Sequence, residues 1–303
     1  MHIAQTESGK PRFSVVVPCY NGQAYLEETL KTALAQTYPA IEIIVVNDGS
    51  TDRSREIACS MGPRVTVVDQ ENRGLSGARN TGARHASGDW IAFLDADDLW
   101  IPEKLALQAE AIMADPRLDI VYTDLYRLEA DGSTPEVRVP PPAAVIERLW
   151  YETPILPSTV VARTQMLRAE PWDERVRLSE DWEYFNRISK RYVFGAVSVP
   201  TTYYRQHPES LSSKDWRWIL ESARQVSHLI QRDATCFERF RRRRLVEARL
   251  FASAAIAARV LGEPAWGYLL RSLAAWPFPV KGMRPRSAML ASMILGRIRG
   301  RKG

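Results

Sequence analysis

Residues 13–21 have the sequence Phe-Ser-Val-Val-Val-Pro-Cys-Tyr-Asn, an apolar run of strand length that ends in a polar turn. Similar runs, each bounded by Gly, Pro, Asn or Asp, follow at residues 41–46, 65–68, 91–94 and 120–122. Segments with helical spacing lie between them, at residues 25–34, 75–86 and 102–114. Strands that are apolar on both faces are typical of a buried, mostly parallel sheet. The alternation therefore predicts a doubly wound α/β sheet, which binds its ligands at the carboxyl ends of the strands.

The composition is that of a globular protein. Of 303 residues, 45% are hydrophobic and 25% are charged, which excludes collagen-like and intrinsically disordered classes. The 3 cysteines are far apart and match neither a disulfide framework nor a CxxC zinc site, which indicates a reducing compartment. The N-terminal residues lack the apolar segment of a signal peptide, and no run reaches the ~18 apolar residues of a membrane span. We therefore expect a cytoplasmic protein.

The charge is unevenly distributed along the chain. Residues 217–303 contain 18 Lys and Arg against 5 Asp and Glu, whereas the preceding residues are acidic overall. Trp266, Trp276 and Phe278 accompany the arginines, and this combination predicts peripheral contact with an anionic membrane surface. A helical cap or a homodimer face with solvated arginines is the alternative. Nucleic acid is not an expected partner, because no motif that reads nucleic acid accompanies the basic residues.

Three carboxylates follow the fourth predicted strand, at Asp95, Asp97 and Asp98. Carboxylates so close together raise one another's pKa unless a cation is bound between them. Their oxygen atoms favour Mg²⁺ or Mn²⁺, and Mg²⁺ commonly completes its shell with water and phosphate oxygens. The cluster predicts either a metal site for a phosphorylated substrate or a solvated acidic turn with Asp98 as a helix N-cap.

Polar residues also follow the first two predicted strands. The first strand ends in Pro18, Tyr20 and Asn21, and the second ends in Asp48. A carboxylate at such a strand end can accept a hydrogen bond from a ring N–H of a nucleobase. The alternative is an Asx turn or a cap of the helix that follows at residues 51–57.

Two further segments contain candidate residues. The glycines of residues 72–80 match neither GxGxxG nor a P-loop, but Arg79 there is a candidate charge partner for phosphate near a helix N-terminus. Asp181 introduces a helix predicted at residues 180–191. It is either part of an N-cap or a general base that takes a proton from an attacking hydroxyl.

In these features the sequence resembles the inverting glycosyltransferases of family 2, which have the GT-A fold. The matching motifs, in the family's order, are Val15–Asn21, Val45–Asp52, Asn72–Asn80, Asp89–Asp98 and Glu180–Asp181. The resemblance implies metal-dependent transfer of a sugar from a nucleotide sugar, most often a UDP-sugar, to a carbohydrate or lipid-linked acceptor in the synthesis of cell-surface polysaccharide or glycolipid. Trp216-Arg217-Trp218 lacks the glutamine of the QxxRW signature, so a non-processive enzyme is expected.

The resemblance also implies roles for individual residues. Asp48 binds uracil, Asp95 contacts the ribose side, and Asp181 is the catalytic base. Asp97 is the ligand of the Mg²⁺ or Mn²⁺ that bridges the diphosphate, with His207 as a second candidate ligand. The implied donor-binding residues are Pro18, Tyr20, Asn21, Asp48, Arg79, Asp95, Ala96 and Arg205.

Four parts of the chain follow from these motifs. Residues 1–11 are an N-terminal tail, and residues 12–215 form the GT-A catalytic domain. Its nucleotide-binding half is residues 12–125 and its acceptor-side half is residues 126–215. A basic helical extension occupies residues 216–303. Elements predicted after residue 131 are a strand at 156–162, a strand pair at 193–205, and helices at 237–261 and 287–298.

Other functions share parts of this pattern. A nucleotidyltransferase uses the same metal, nucleotide and sheet arrangement, and pyrophosphate release from a nucleoside triphosphate and a sugar phosphate distinguishes it. A phosphatase-type hydrolase also uses an Asp-x-Asp after a strand, with Asp95 as its nucleophile. A non-catalytic subunit would keep the fold and dock through its basic region, but the chain has both Asp97 and Asp181.

Overall fold

The computed structural model describes residues 9–150, 152–207, 225–226, 229–230, 244–249, 251–252, 255 and 266–275. The strands are β1 (Phe13–Cys19), β2 (Glu42–Asp48), β3 (Val65–Gln70), β4 (Trp90–Phe93), β5 (Leu99–Trp100), β6 (Ile120–Leu128), β7 (Glu136–Val137), β8 (Val161–Arg163) and β9 (Phe194–Arg205). The helices are α1 (Leu26–Leu34), α2 (Ser54–Ser60), α3 (Gly74–His85), α4 (Lys104–Ala114), α5 (Pro142–Arg148), α6 (Thr164–Ala169), α7 (Glu180–Ile188) and α8 (Trp266–Ala275). The predicted α/β class is confirmed.

One sheet contains all of these strands. β3, β2, β1 and β4 are parallel neighbours in that order. Beyond β4 the order continues β8, β6, β9, β5, and the sheet becomes mixed because β8 and β5 are antiparallel to their neighbours while β9 is parallel to β6. The carboxyl ends of β1, β2 and β4 therefore lie along one edge. The last residues of β9 pair with β5, the short strand that directly follows residues 95–98.

Helices cover both faces of β1. Val15 and Val17 are fully buried and pack in one cluster with Leu30 of α1. Val16 faces the other side, where a Cβ atom on Gly82 of α3 would be 2.3 Å from Val16 Cγ1. Alternate side chains of one strand thus enter two separate helix–sheet interfaces, which is the doubly wound arrangement.

Gly82→Ala is expected to destabilise the protein, because the added methyl group would overlap Val16 unless α3 moves away from the sheet. Overpacking of this kind typically costs about 1–3 kcal/mol of unfolding free energy. Urea unfolding measures the change. Gly267→Ala in α8 is the control, since no described atom lies within 4 Å of a Cβ added there. Equal stability of the two variants would contradict the close packing of α3 on β1.

Two predicted elements after residue 131 differ from the structure. Residues 156–162, predicted as one strand, form a 3-10 turn at Pro157–Thr159 followed by the short strand β8. Pro157 lacks the N–H that a strand ladder needs, so the ladder begins only after it. Residues 193–205, predicted as a strand pair, form the single 12-residue strand β9, which stays paired with β6 through a register shift around Asp124.

The chain forms two compact units, Met1–Leu149 with Thr153–Pro208 and Trp150–Glu152 with Glu209–Gly303. In the second unit the described residues after residue 209 are helical, and Ser272 of α8 donates a hydrogen bond to the Ala248 carbonyl at 2.5 Å. None of the helices within the described ranges is long and apolar enough to cross a membrane. The helix predicted at 287–298, most of 237–261, and the tryptophan and arginine residues on which the membrane prediction rests lie largely outside the described residues.

Candidate active site

Asp48 ends β2 as a buried acceptor of hydrogen bonds. Its Oδ1 atom accepts from Gln70 Nε2 at 2.6 Å and from the Arg73 backbone N–H at 2.7 Å. Its Oδ2 atom accepts from the Gly74 N–H at 2.8 Å. These bonds hold the start of α3 and not residues 51–57, so the predicted local cap is wrong. They also use three of the roughly four acceptor positions of an ionised carboxylate, which leaves one on Oδ2.

The loop after β1 lies beside the loop after β2. Asn21 has a φ of 51° and accepts a hydrogen bond from the Thr51 N–H at 2.8 Å, so its side chain joins the two loops. Pro18 is buried within β1, whereas Tyr20 is 56% exposed at the sheet edge. The side chain of Tyr20 is therefore open to a ligand.

Arg79 lies beneath the edge of the sheet, with only 1% of its surface exposed. One terminal nitrogen donates to Asp95 Oδ1 at 2.9 Å and the other donates to Glu180 Oε1 at 2.8 Å. Burial lowers the pKa of Arg79, but the charges of Asp95 and Glu180 outweigh burial and raise it, so the guanidinium stays ionised. Both terminal nitrogens therefore bind carboxylates of the protein.

The acidic cluster after β4 is held from several directions. The Asp95 backbone N–H donates to Ser158 Oγ at 3.0 Å, and Ala96 connects Asp95 to Asp97. Asp98 is 1% exposed and accepts from the Arg205 N–H at 3.1 Å. The predicted N-cap role of Asp98 is wrong, because α4 begins only at Lys104.

Burial and mutual repulsion act on these carboxyl groups. Burial raises the pKa of Asp97, and the charge of Asp95 raises it further. Burial likewise raises the pKa of Asp98 well above its usual value, with Asp97 and Asp95 adding to the shift. A bound cation would stabilise all three ionised carboxylates, so the electrostatics of this cluster suit a metal ion.

Asp97 and His207 present the two candidate metal-binding side chains. Asp97 Oδ2 lies 2.9 Å from His207 Nε2, although the residues are 110 positions apart. A carboxylate oxygen beside an imidazole nitrogen suits Mn²⁺ and, through the carboxylate, Mg²⁺. Among the described residues no group of three or more His, Cys, Asp or Glu could hold a metal. The donor set therefore fits a divalent ion only if diphosphate or water oxygens complete its shell.

Arg205 reaches the cluster from the end of β9. Its Nε atom donates to the Asp97 carbonyl at 2.8 Å and its NH2 group donates to Glu28 at 2.6 Å. The guanidinium also stacks over Tyr25, 4.8 Å from the ring centroid, and the ring of His207 lies 4.6 Å from the same tyrosine. Tyr25 and Glu28 of the α1 region thus support both residues.

Asp181 lies in the first turn of α7. Its Oδ1 atom accepts from the Trp182 N–H at 2.8 Å, and its side chain is half-buried. Burial raises the pKa of Asp181 to about 7, with a further contribution from the charge of Glu180. Ser179 has a left-handed φ of 55° and makes no side-chain cap bond among the described groups, so a serine cap is not present. A carboxylate with a pKa near 7 can take up a proton from a hydroxyl at neutral pH.

Several supporting residues gave no signal in the sequence. Ser158 lies in the 3-10 turn after Leu156, Gln70 ends β3, and Tyr25 precedes α1. Glu180 was adjacent to the candidate base, but nothing in the spacing indicated that it pairs with Arg79. Only the folded sheet brings these groups together.

The family model described as Glycosyl transferase family 2 matches residues 14–155. Over 217 residues the chain is 30% identical to the Bacillus subtilis "Putative teichuronic acid biosynthesis glycosyltransferase TuaG", a match that covers 69% of this chain and 84% of TuaG. The chain belongs to glycosyl transferase family 2. The matches to two other curated glycosyltransferases cover only 18% and 37% of those proteins' length.

Solved structures of glycosyltransferases share the fold of this family 2 chain. Staphylococcus aureus TarS 1-349 in complex with UDP-GlcNAc has a TM-score of 0.61 and 20% identity, covering 87% of this chain and 81% of TarS 1-349. Mannosyltransferase PcManGT from Pyrobaculum calidifontis, in complex with GDP-Man and Mn²⁺, has a TM-score of 0.58 and 25% identity, covering 98% of this chain and 83% of PcManGT. The predicted GT-A fold is confirmed. The family 2 model ends at residue 155, before Glu180, Asp181 and Arg205.

Proposed function

We propose that this family 2 chain transfers a sugar from a UDP-sugar to an acceptor hydroxyl in one inverting, metal-dependent displacement. The observation that supports this most strongly is that an acceptor for a base N–H and a carboxylate–imidazole pair follow strands of one sheet, and that Arg79 bridges Asp95 to Glu180, the neighbour of Asp181. Burial raises the pKa of Asp181 to about 7. These groups correspond to the three needs of the reaction, which are nucleotide binding, diphosphate binding and proton removal.

The nucleotide end of the donor binds at Asp48 in this proposal. Because its Oδ1 atom is already occupied by two donors, the remaining position on Oδ2 accepts one N–H group. Uracil offers a single ring N–H at N3, whereas guanine offers neighbouring N–H donors. The exposed Tyr20 ring is available to the base or ribose. Pro18, Asn21, Ala96 and Asp95 are the other donor-binding residues in this proposal.

Asp97 and His207 would hold Mg²⁺ or Mn²⁺ in this proposal. When bound, such an ion supplies electrostatic stabilisation of the charge that develops on the leaving diphosphate. Arg205 lies against the same cluster through its contact with the Asp97 carbonyl, and its positive charge favours the diphosphate as well. The complex of PcManGT with GDP-Man and Mn²⁺ is consistent with this choice of metal.

Asp181 acts as the general base. It takes the proton of the acceptor hydroxyl as the acceptor oxygen forms a bond to the anomeric carbon. The bond between that carbon and the β-phosphate oxygen breaks at the same time, so UDP leaves with the electron pair. Attack from the face opposite the leaving group inverts the anomeric carbon.

The setting of the reaction is also part of the proposal. The similarity to TuaG favours a carbohydrate or lipid-linked acceptor in cell-surface polysaccharide synthesis. The missing QxxRW signature favours a single transfer per binding event. The arginine-rich residues 216–303 would bring the enzyme to an anionic membrane surface, and a homodimer face is the competing role for them.

A donor screen tests the proposed function. Purified protein is incubated with UDP-, GDP- and TDP-sugars and Mn²⁺, UDP or other diphosphate release is measured, and products with lipid-linked acceptors are identified by mass spectrometry. We expect release of a nucleoside diphosphate, UDP, from a UDP-sugar only. EDTA should abolish this release. Release from GDP-sugars alone would contradict the uracil assignment, and pyrophosphate release from UTP and a sugar phosphate would instead support a nucleotidyltransferase.

A further inference from the structure

Helix α3 is joined by side-chain contacts to the segment that leads into α7. These contacts recur along the helix, so the whole segment of residues 172–180 is held against α3. The pairs are Arg73 with Glu174 at 2.6 Å, Ser76 with the Val176 carbonyl at 3.4 Å, Asn80 with the Trp172 carbonyl at 2.9 Å, and Arg79 with Glu180 at 2.8 Å. The start of α7, including Asp181, therefore has a fixed place relative to the donor-side strands.

Arg79 is the most deeply buried of the α3 residues that make these contacts. Its guanidinium bridges Asp95, on the donor side, and Glu180, the neighbour of Asp181. The ring of Trp172 lies 4.7 Å from its central carbon, and its Nε atom has no hydrogen-bond partner among the described residues. Burying an arginine is costly, and replacement by apolar residues is often neutral or stabilising, so stability alone is a weak explanation for this arrangement.

We propose that Arg79 and Glu180 are positioning residues, which hold the ribose-side carboxylate Asp95 and the base Asp181 in register through one planar guanidinium. Arg79 acts on the donor through Asp95, since both of its terminal nitrogens are bound to carboxylates. This inference rests on the proposed function, because it takes Asp181 to be the base. It adds that the fork geometry of arginine, which a lysine lacks, sets the distance between donor and base.

The charges around Asp181 give a readout that a purely structural role would not move. Glu180 and Asp95 oppose ionisation of Asp181, whereas Arg79 and the Trp182 N–H favour it. Removing the Glu180 charge therefore lowers the pKa of Asp181, and the acid limb of kcat/KM moves to lower pH. Removing the Arg79 charge raises that pKa, and the limb moves to higher pH.

The test compares Glu180→Gln, Arg79→Gln, the double variant and Arg79→Lys, using kcat, donor KM and the pH profile of kcat/KM. Misplacement of a base by about 1 Å can cost on the order of 100-fold in rate, so we expect kcat to fall about 10- to 100-fold. Donor KM should stay within about 3-fold in Glu180→Gln, which leaves the bond between Arg79 and Asp95 intact. The two single Gln variants should shift the acid limb in opposite directions. The double variant should have lowered kcat with a limb near that of the wild type. Of the bridge charges it leaves only the partly exposed Asp95 without its partner.

Arg163→Lys is the matched control, because Arg163 also stacks on a tryptophan, Trp90, but lies at the opposite end of β4. It should retain wild-type kcat and pH profile. Glu180→Gln keeps the shape and an acceptor for Arg79, and with the double variant it provides folded protein if Arg79→Gln does not fold. Folded variants with wild-type kcat and an unmoved acid limb would overturn the inference. If Asp181→Asn itself retained wild-type turnover, the proposed function would fail instead.

Discussion

Asp181→Asn is expected to lower kcat by about 100- to 10,000-fold, the usual contribution of a general base, while the donor still binds. Asparagine has the shape of the protonated carboxyl group and can still accept the hydrogen bond from the Trp182 N–H. It cannot take the proton of the acceptor hydroxyl. Initial rates of UDP release and calorimetric titration with UDP in the presence of Mn²⁺ measure the two effects separately.

The control for this variant is Glu183→Gln, in the same turn of α7. Glu183 pairs with Arg187 one turn further along the helix, and not with Arg79 or Asp95. Its loss should change kcat by less than about 3-fold, in line with the small effects of partly exposed ion pairs. Near wild-type turnover in Asp181→Asn would remove Asp181 from the role of base.

The pH dependence of the wild-type enzyme gives an independent check on Asp181. The base form is the ionised carboxylate, and burial raises its pKa to about 7, so kcat/KM should rise with pH through about 7 and then level off. The same shift acts on stability in the opposite direction. The folded-state pKa exceeds the usual value, so this contribution to unfolding free energy is present at low pH and is lost as pH rises through about 7. Thermal unfolding of wild type and Asp181→Asn across this range should differ in slope accordingly.

Asp97→Ala should abolish the metal-dependent part of UDP binding, with a loss of affinity on the order of 100-fold, as metal-site changes commonly cause.

Without metal or UDP, the Asp97→Ala variant should be no less stable than the wild type at pH 8. Removal of the Asp97 charge relieves repulsion that now raises the pKa of Asp98, so ionised Asp98 becomes less costly. Thermal unfolding with and without Mn²⁺ and UDP measures both effects, since ligand binding raises the melting temperature only where the site is intact.

Asp115→Ala provides the comparison for charge removal at an exposed site. Asp115 follows α4 at the end opposite to the acidic cluster in sequence, and it pairs with Arg117. This variant should keep the full rise in melting temperature with Mn²⁺ and UDP. Tight Mn²⁺-dependent UDP binding by Asp97→Ala would exclude Asp97 as the metal ligand.

Much of the nucleotide-binding half could be predicted because its information is local. Each buried strand is a continuous apolar run, and each polar group follows its strand directly, so parallel pairing places Asp48 and Asp95 at one edge without further assumptions. The acidic cluster that contains Asp97 is likewise a set of neighbours in sequence, although its assignment as a metal ligand came from the family resemblance. The alternation of strands and helices along the chain also predicted a doubly wound sheet, which has helices on both sides of β1.

The remaining part of the site depends on contacts between distant residues. Arg205 and His207 reach the acidic cluster only because β9 pairs with β5, a register that no spacing in the sequence indicates. The pairing of Arg79 with Glu180 joins residues 101 positions apart. A helix cap was one of the two alternatives for Asp98, but the short strand β5 lies between Asp98 and α4, and Asp98 accepts a hydrogen bond from the Arg205 N–H. In each case the tertiary contact replaced the local alternative.

The stereochemistry of the transfer shows whether the reaction is a single displacement assisted by one base. Wild-type enzyme with Mn²⁺ and the UDP-sugar found in the donor screen is followed by ¹H NMR, and the anomeric coupling constant of the first product is read before equilibration. From an α-linked UDP-sugar, the mechanism predicts a β-linked product, which Asp181→Asn forms at least 100-fold more slowly. An α-linked first product would contradict a single displacement with Asp181 as its base.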